Sequence, residues 1–212
     1  MKNNFLKLCE TLINELTEPT QEMIDWFDKR TKKHIHAVQN NWRLLTNSKF
    51  RYIFDTYDPG YTEHILKHDE SKFNEPEYLP YIFITWKYKM EADGKQYEIP
   101  KDMKQAVNDA TTHHVFTNPH HPVYWDKSKT MEDNVINDKD RDKPTGEIVN
   151  ATKMPDWAIA EMVCDWKAVS DERNSSLKDW ADMNVGKDKR WNFNKEQTKL
   201  IYDLIDFFEN LK

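Results

Sequence analysis

The 212-residue chain has only two cysteines and four glycines, and each shortage excludes a class of chemistry. Cys9 and Cys164 form no CxxC pair, so neither a disulfide framework nor a cysteine zinc site is expected, and a reducing, cytoplasmic setting follows. None of the glycines falls in a GxGxxG, GxxxxGKS/T or GxSxG pattern. A dinucleotide fold, a P-loop and a hydrolase nucleophile elbow therefore lack their turns. Long apolar runs are missing too: the longest, such as Tyr81-Ile82-Phe83-Ile84, fall far short of the roughly 20 residues that span a bilayer. The opening residues Met1 to Phe5 carry no apolar core or small-residue cleavage site of a secretory leader. Nor is there a basic excess. With 31 Lys and Arg against 37 Asp and Glu the formal charge is −6, which disfavours bulk nucleic-acid binding, since that depends on neutralising phosphates.

Aromatic rings are plentiful. Only 38% of residues are apolar and 32% are charged, but 10 Phe, 9 Tyr and 8 Trp supply enough area per residue to fill a core that aliphatics alone would leave small. The length suits a single domain. Helical spacing dominates: Phe5, Leu8, Leu12 and Leu16 share a face over residues 4–16, and a longer segment over about 20–47 repeats Met23/Ile24, Phe27, Ile35, Val38, Trp42 and Leu45. Further helices are expected at about 61–68, from Pro76 to Met90, over 100–117, from Pro155 to Ser170, over 176–184 and over 195–211. Pro100 and Pro155 sit at helix starts, and Asn194 with Gln197 has the pattern of a capping box. Asp58-Pro59-Gly60 reads as a turn. Residues 126–152 are charged and aperiodic and predict a long exposed loop or lid, with a short hairpin at 147–150. The fold class predicted is all-α, a single-domain helical bundle with a long charged loop insertion and a C-terminal packing helix at 195–211.

Polar residues interrupt the apolar faces. In helix 100–117 the stripe Met103, Val107, Ala110 continues at +4 to His114. In helix 155–170 the stripe Ala158, Met162 continues to Asp165 and then Val169. On the long helix, Ile35 and Val38 flank His36. A buried carboxylate without a partner costs several kcal/mol, of order 2–7 even for a neutral polar group, so Asp165 needs a companion. His68-Asp69 beside a turn is a further candidate. Imidazoles and carboxylates together suit zinc, iron, manganese or nickel, whereas carboxylates alone would suggest magnesium or calcium. Helical bundles build internal metal sites from such side chains on facing helices.

The order His36, His68-Asp69, His114, His120-His121, Asp165 is similar to the H…HD…H…HH…D signature of the HD-domain superfamily of metal-dependent phosphohydrolases. The resemblance covers about residues 36–170. It implies an HD-like helical domain with one or two divalent transition-metal ions held by His36, His68, Asp69, His114, His120, His121 and Asp165. It also implies a small phosphorylated substrate, a nucleotide or related ester. Lys72, three residues after Asp69, resembles the lysine of HDxxK variants that faces substrate phosphate, and Glu70 is a candidate general acid or base by the same analogy. A second resemblance is to a family of phage and bacterial proteins sharing HDxSKF, HHPxYW and EMxxDWKA segments. Those read here as His68–Phe73, His120–Trp125 and Glu161–Ala168. That likeness covers most of the chain and brings no activity with it. The sequence departs from the better-known HD enzymes in having no glycine after His68-Asp69 and in the 126–152 segment.

Each residue also has a plainer reading. For His68, Asp69, Asp165 and His36 the alternative to the ion site is a buried hydrogen-bonded network. His120-His121-Pro122 makes a loop packed on Tyr124 and Trp125, and Lys72 makes a salt bridge to Glu75 or Glu77. His113 is less inward than His114, His64 reads as a surface residue, and His34, after Lys32-Lys33, reads as solvated. Cys164 reads as a core thiol, and Trp42, Trp86, Trp157, Trp166 and Trp180 as core, with Trp125 near the site. Lys72, Lys67, Lys153 and Lys167 are the candidate basic funnel for an anionic substrate. Three functions remain open: metal-dependent hydrolysis of a phosphate ester by activated water, C–H oxidation by a mixed-valent di-iron pair on the same ligand order, and a non-enzymatic interaction module with a structural His/Asp core.

Overall fold

The structure, a computed structural model, describes residues 17–55, 60–132 and 148–211. The stripe expected over residues 4–16, most of the Asp58–Gly60 turn and the centre of the charged insertion lie outside the described residues. The molecule is an all-α single domain with one very small sheet. Its helices are α1 (Gln21–Thr46), α2 (Tyr52–Asp55), α3 (Gly60–Leu66), α4 (Tyr78–Ala92), α5 (Lys104–Thr117), α6 (Pro122–Trp125), α7 (Asp156–Arg173), α8 (Leu177–Asn184) and α9 (Lys195–Glu209). Among the described residues no helix is long and apolar enough to cross a membrane.

Local chemistry explains where the helices start. The Thr20 side chain accepts from Met23 N at the head of α1, and Ser176 does the same for α8. At α9 both halves of the capping box form: Gln197 N donates to Asn194 Oδ1 at 2.8 Å and Asn194 N to Gln197 Oε1 at 2.9 Å. Such caps contribute about 1 kcal/mol each. Gln197 Nε2 also donates to Met154 O at 2.7 Å, tying the start of α9 to the approach to α7.

The helix α1 is the spine. It packs on α7 and on α4, while α9 packs on α7 and α5 on α4. Its buried stripe is Met23, Phe27, Thr31, His34, Val38, Trp42 and Leu45, at steps of three and four residues. The two ends of that stripe enter different clusters. Met23 and Phe27 join the rings and aliphatics of α4 and α5, whereas Val38, Trp42 and Leu45 join the core of α7 and α9. Thr31 and His34 lie between, so the polar interruption of α1 falls at the seam of two apolar cores.

The 126–152 segment differs from the expected exposed loop at both ends. Asp126 is buried and accepts from Asn150 N at 2.8 Å. Strand β1 (Val149–Asn150) pairs in parallel with β2 (Trp191–Asn192), in register Val149 with Trp191. A two-residue parallel pairing with a distant segment replaces the expected hairpin, and it carries residues 190–192 to the side of α7.

Candidate metal centre

At the seam, α1, the turn after α3, α5, the turn into α6 and α7 converge on one carboxylate. Asp69 is fully buried and its backbone is left-handed, with φ of 58°. Aspartate adopts that region more readily than most residues, and the bend turns the chain into a short 3-10 helix over Glu70–Phe73. Asp69 Oδ2 lies 3.3 Å from His34 Nε2 and 3.8 Å from His68 Nε2. Its other oxygen, Oδ1, lies 3.2 Å from His114 Nε2 and 3.7 Å from His120 Nε2. Asp165 completes one side, with Oδ1 3.0 Å from His34 Nε2 and 4.0 Å from His68 Nε2. Two groups of donors therefore flank Asp69. One is His34, His68 and Asp69 beside Asp165; the other is His114, His120 and His121. Within each trio the ligand atoms lie within 4.8 Å of one another, as they also do for His68, His120 and Glu161.

Two further carboxylates stand behind the imidazoles. His68 Nδ1 lies 2.8 Å from Glu161 Oε1, and His114 Nδ1 lies 2.8 Å from Glu77 Oε2. Glu77, entirely buried, also receives Ser71 Oγ at 2.9 Å and lies 2.7 Å from His113 Nδ1. A carboxylate only accepts, so each contact puts a proton on Nδ1 and aims Nε2 at Asp69. The result is a shell of imidazole nitrogens and carboxylate oxygens gathered on Asp69, with Lys72 as its ammonium. His68 Nε2, Asp69 Oδ1, Glu161 Oε2 and His121 Nε2 are buried without a hydrogen-bond partner. Unsatisfied buried acceptors are costly, and a cation among them satisfies several at once.

The electrostatics differ between the two groups. Burial opposes a charge on His68, but Asp69, Glu161 and Asp165 outweigh it and raise its pKa to about 9. Burial also opposes ionisation of Asp69 and Asp165, yet Lys72 and His68 hold Asp69, and His34 and His68 hold Asp165, well below the usual carboxylate range. His120 and His121 are pushed well down by burial and by neighbouring imidazoles, so they stand neutral as metal ligands must. Burial raises the Cys164 thiol, which is inert core.

Of the sequence-predicted ligands, His68, Asp69, His114, His120, His121 and Asp165 converge here. His36 does not. Two residues past His34 turn it about 200° around the helix, so it lies on the exposed face of α1, and His34, expected to be solvated, takes the inward position. Glu70 is exposed, because the left-handed turn at Asp69 directs the next residue outward. Lys72 is buried with its ammonium directly on Asp69 Oδ2 rather than on Glu75 or Glu77, and 5.2 Å from the centre of the Tyr81 ring. His64 stacks on Trp157 at 5.0 Å. Trp125 Nε1 donates to Pro119 O at 2.8 Å, bracing the His120-His121 turn. Glu161 and Glu77 were not anticipated. Glu161 had a signal, being one turn before Asp165 on the same helix; Glu77 meets His114 only through the tertiary fold.

The centre opens into a cavity of about 200 Å³ lined by His34, Asp69, Lys72, His114, His120, His121 and Asp165. Its other cations are Arg30, Arg173 and Arg190. Of the four lysines expected to form a funnel, Lys72 lines the cavity and Lys67, Lys153 and Lys167 do not; Lys67 pairs with Glu63 at 2.6 Å and Lys167 with Asp171, each one helical turn away. Trp166 is buried in the core and Trp180 packs against it, as expected, and both also line the cavity with Trp191. No curated protein and no solved structure matches the chain. A sequence family does, over residues 23–207, which contain every residue of the centre: the chain belongs to the family of unknown function DUF5662.

Proposed function

We propose that the protein is a metal-dependent phosphohydrolase that binds one or two divalent transition-metal ions at the Asp69 centre. The observation that carries the metal is the ligand array: Asp69 between two groups of imidazoles, with Nδ1 of His68 engaged by Glu161 and Nδ1 of His114 by Glu77. His34, His68, Asp69 and Asp165 would hold one ion, and His114, His120 and His121 with Asp69 a second. A bound divalent ion lowers the pKa of water toward neutrality and polarises a phosphoryl oxygen. Manganese, nickel, zinc and iron all suit the donor set.

Hydrolysis is supported by three features together: the order of the ligands, which resembles the HD phosphohydrolases, the buried Lys72 and the cationic lining of the cavity. In the reaction a water oxygen bonds to phosphorus, the bond from phosphorus to the ester oxygen breaks, and the water's protons end on the released phosphate and alcohol. Asp69 and Asp165 fix the attacking side. Lys72, turned from Asp69 toward the cavity it already lines, neutralises charge developing on the phosphoryl oxygens. Pro122 and Val123 at the turn wall one side of the cavity against water.

The test is metal analysis of protein purified without chelator or histidine tag, followed by phosphate release from p-nitrophenyl phosphate and simple alkyl phosphates. One or two equivalents of transition metal, with turnover lost on chelation and restored by metal, are expected. Lys72→Met should keep the metal and lose turnover. An iron-loaded protein that consumes oxygen and hydrolyses no ester would overturn hydrolysis. A protein that takes up no metal and melts at an unchanged temperature with chelator would overturn the centre itself.

A further inference from the structure

The three arginines that line the cavity are already seated. Arg30 is held by Glu172, at 2.9 Å from both Nε and Nη2. Arg173 lies over the Tyr88 ring at 5.2 Å and Arg190 over Trp191 at 5.0 Å, and both make further interactions. Their charge draws an anion toward the metal centre, but none of them is an open partner for a second acidic group on the substrate. The side chains that follow the ligands along the chain are apolar, and they line the cavity. Asp165 is followed by Trp166 and, one turn on, by Val169; His114 is followed by Val115, and His121 by Pro122 and Val123. Trp166 stacks on Trp191 at 5.2 Å with 14° between their planes, and Trp180 meets Trp191 edge-on at 6.3 Å. Such rings offer a large apolar contact area, and their mutual packing holds the wall in place.

Size limits what rests on that wall. A closed apolar cavity of about 150 Å³ holds one benzene, and the cavity here is about 200 Å³. One six-membered ring and the atoms that join it to a phosphate fill such a space. A nucleoside brings both a base and a sugar, and one of the two would stay outside. We propose that the substrate is the phosphate monoester of a small apolar alcohol, about one ring in size. Its phosphate meets the metal centre, and its organic group lies against Trp166, Trp180 and Val169. This rests on the phosphohydrolase reading for the phosphate end, whereas the apolar end stands on the cavity lining. Water adds its oxygen to phosphorus, the bond from phosphorus to the ester oxygen breaks, and the apolar alcohol leaves with one of the water's protons.

The test uses metal-loaded protein. Turnover is compared between benzyl phosphate and glycerol 3-phosphate, which both release a primary alcohol, so that kcat/KM reads the organic group rather than the ease of its departure. Binding is compared by calorimetry between phenylphosphonate and methylphosphonate, which have no ester bond to break. Benzyl phosphate and phenylphosphonate should each be preferred by about tenfold, the fold-change of burying one ring. Both ratios should fall toward one in Val169→Phe, which fills the space for the ring, and should shrink in Trp180→Ala, which removes part of the wall. Metal content and circular dichroism confirm that the variants are loaded and folded. Ratios near one in the natural protein, ratios unchanged in both variants, or faster turnover of adenosine 5′-monophosphate than of benzyl phosphate would overturn the proposal. If no ester is hydrolysed but phenylphosphonate is preferred and loses its preference in Val169→Phe, hydrolysis falls and the apolar end stands. If the esters are hydrolysed without preference, the reverse is true.

Discussion

The two halves of the centre share Asp69 and differ in almost everything else. The half on α1, the turn after α3 and α7 pairs His34 and His68 with two carboxylates, whereas the half on α5 and the turn into α6 offers His114, His120 and His121. Without an ion, the first half keeps a proton, because His68 titrates at about 9 beside Asp69, Glu161 and Asp165. The second keeps neutral rings, since burial and mutual repulsion push His120 and His121 well down. A cation entering the first half therefore displaces a proton, and one entering the second meets bare donors. Lys72 belongs to the same balance, as its ammonium lies on the Asp69 oxygen that faces His34 and His68.

The largest effect is expected where the halves meet. Asp69→Ala should take bound metal to background, because Asp69 Oδ2 serves one half and Oδ1 the other. His121→Ala, on the second half alone, should remove one equivalent of two. Mass-spectrometric metal analysis of both variants distinguishes them, and two equivalents retained in Asp69→Ala would mean that the halves are not joined through this carboxylate.

The proton held by the first half gives the next prediction. The folded pKa of His68, about 9, exceeds the unfolded value of about 6.5. Its contribution to the stability of metal-free protein is thus complete below about pH 6.5 and lost as pH rises toward 9. The melting temperature of chelated protein should fall across that window, while metal-loaded protein, in which His68 is already neutral, should not show the slope. Parallel curves for the two forms would remove the proton from the account.

The helices were legible because 3.6-residue spacing and caps such as Asn194–Gln197 are written locally. Asp165 was legible for the same reason, a carboxylate on the stripe of Ala158, Met162 and Val169. His34 was not, because the true stripe of α1 passes through Thr31, a polar residue that breaks the visible pattern between Phe27 and Val38. Aligning the face on Ile35, which is only half-buried, placed His36 inward instead. Arg190 and Trp191 reach the cavity from beyond α7, and the two-residue parallel strand that fixes them beside it has no periodic signature. Glu77 lies 37 residues from His114, a partnership only the folded chain reveals.

The two supporting glutamates allow a finer comparison of the halves. Glu161→Gln should weaken metal binding in the first half, and Glu77→Gln in the second, each by about 10–100-fold, the usual cost of removing a carboxylate behind a metal-binding imidazole. Competition with a metallochromic chelator reads each affinity. Equal loss from both ions in either variant would show that the halves bind as a unit.

The smallest effect tests the rotation of α1 on which the first half depends. His36→Ala removes an exposed side chain from the helix and should leave metal content unchanged and stability within about 0.5 kcal/mol. His34→Ala, two residues earlier, removes a ring 3.0 Å from Asp165 and 3.3 Å from Asp69 and should cost the first half its ion. Helix propensity cannot produce this contrast, since both substitutions introduce the best helix former at interior positions. Metal loss in His36→Ala with retention in His34→Ala would require α1 to turn by about half a revolution, and Phe27 and Val38 would then leave the two cores they join.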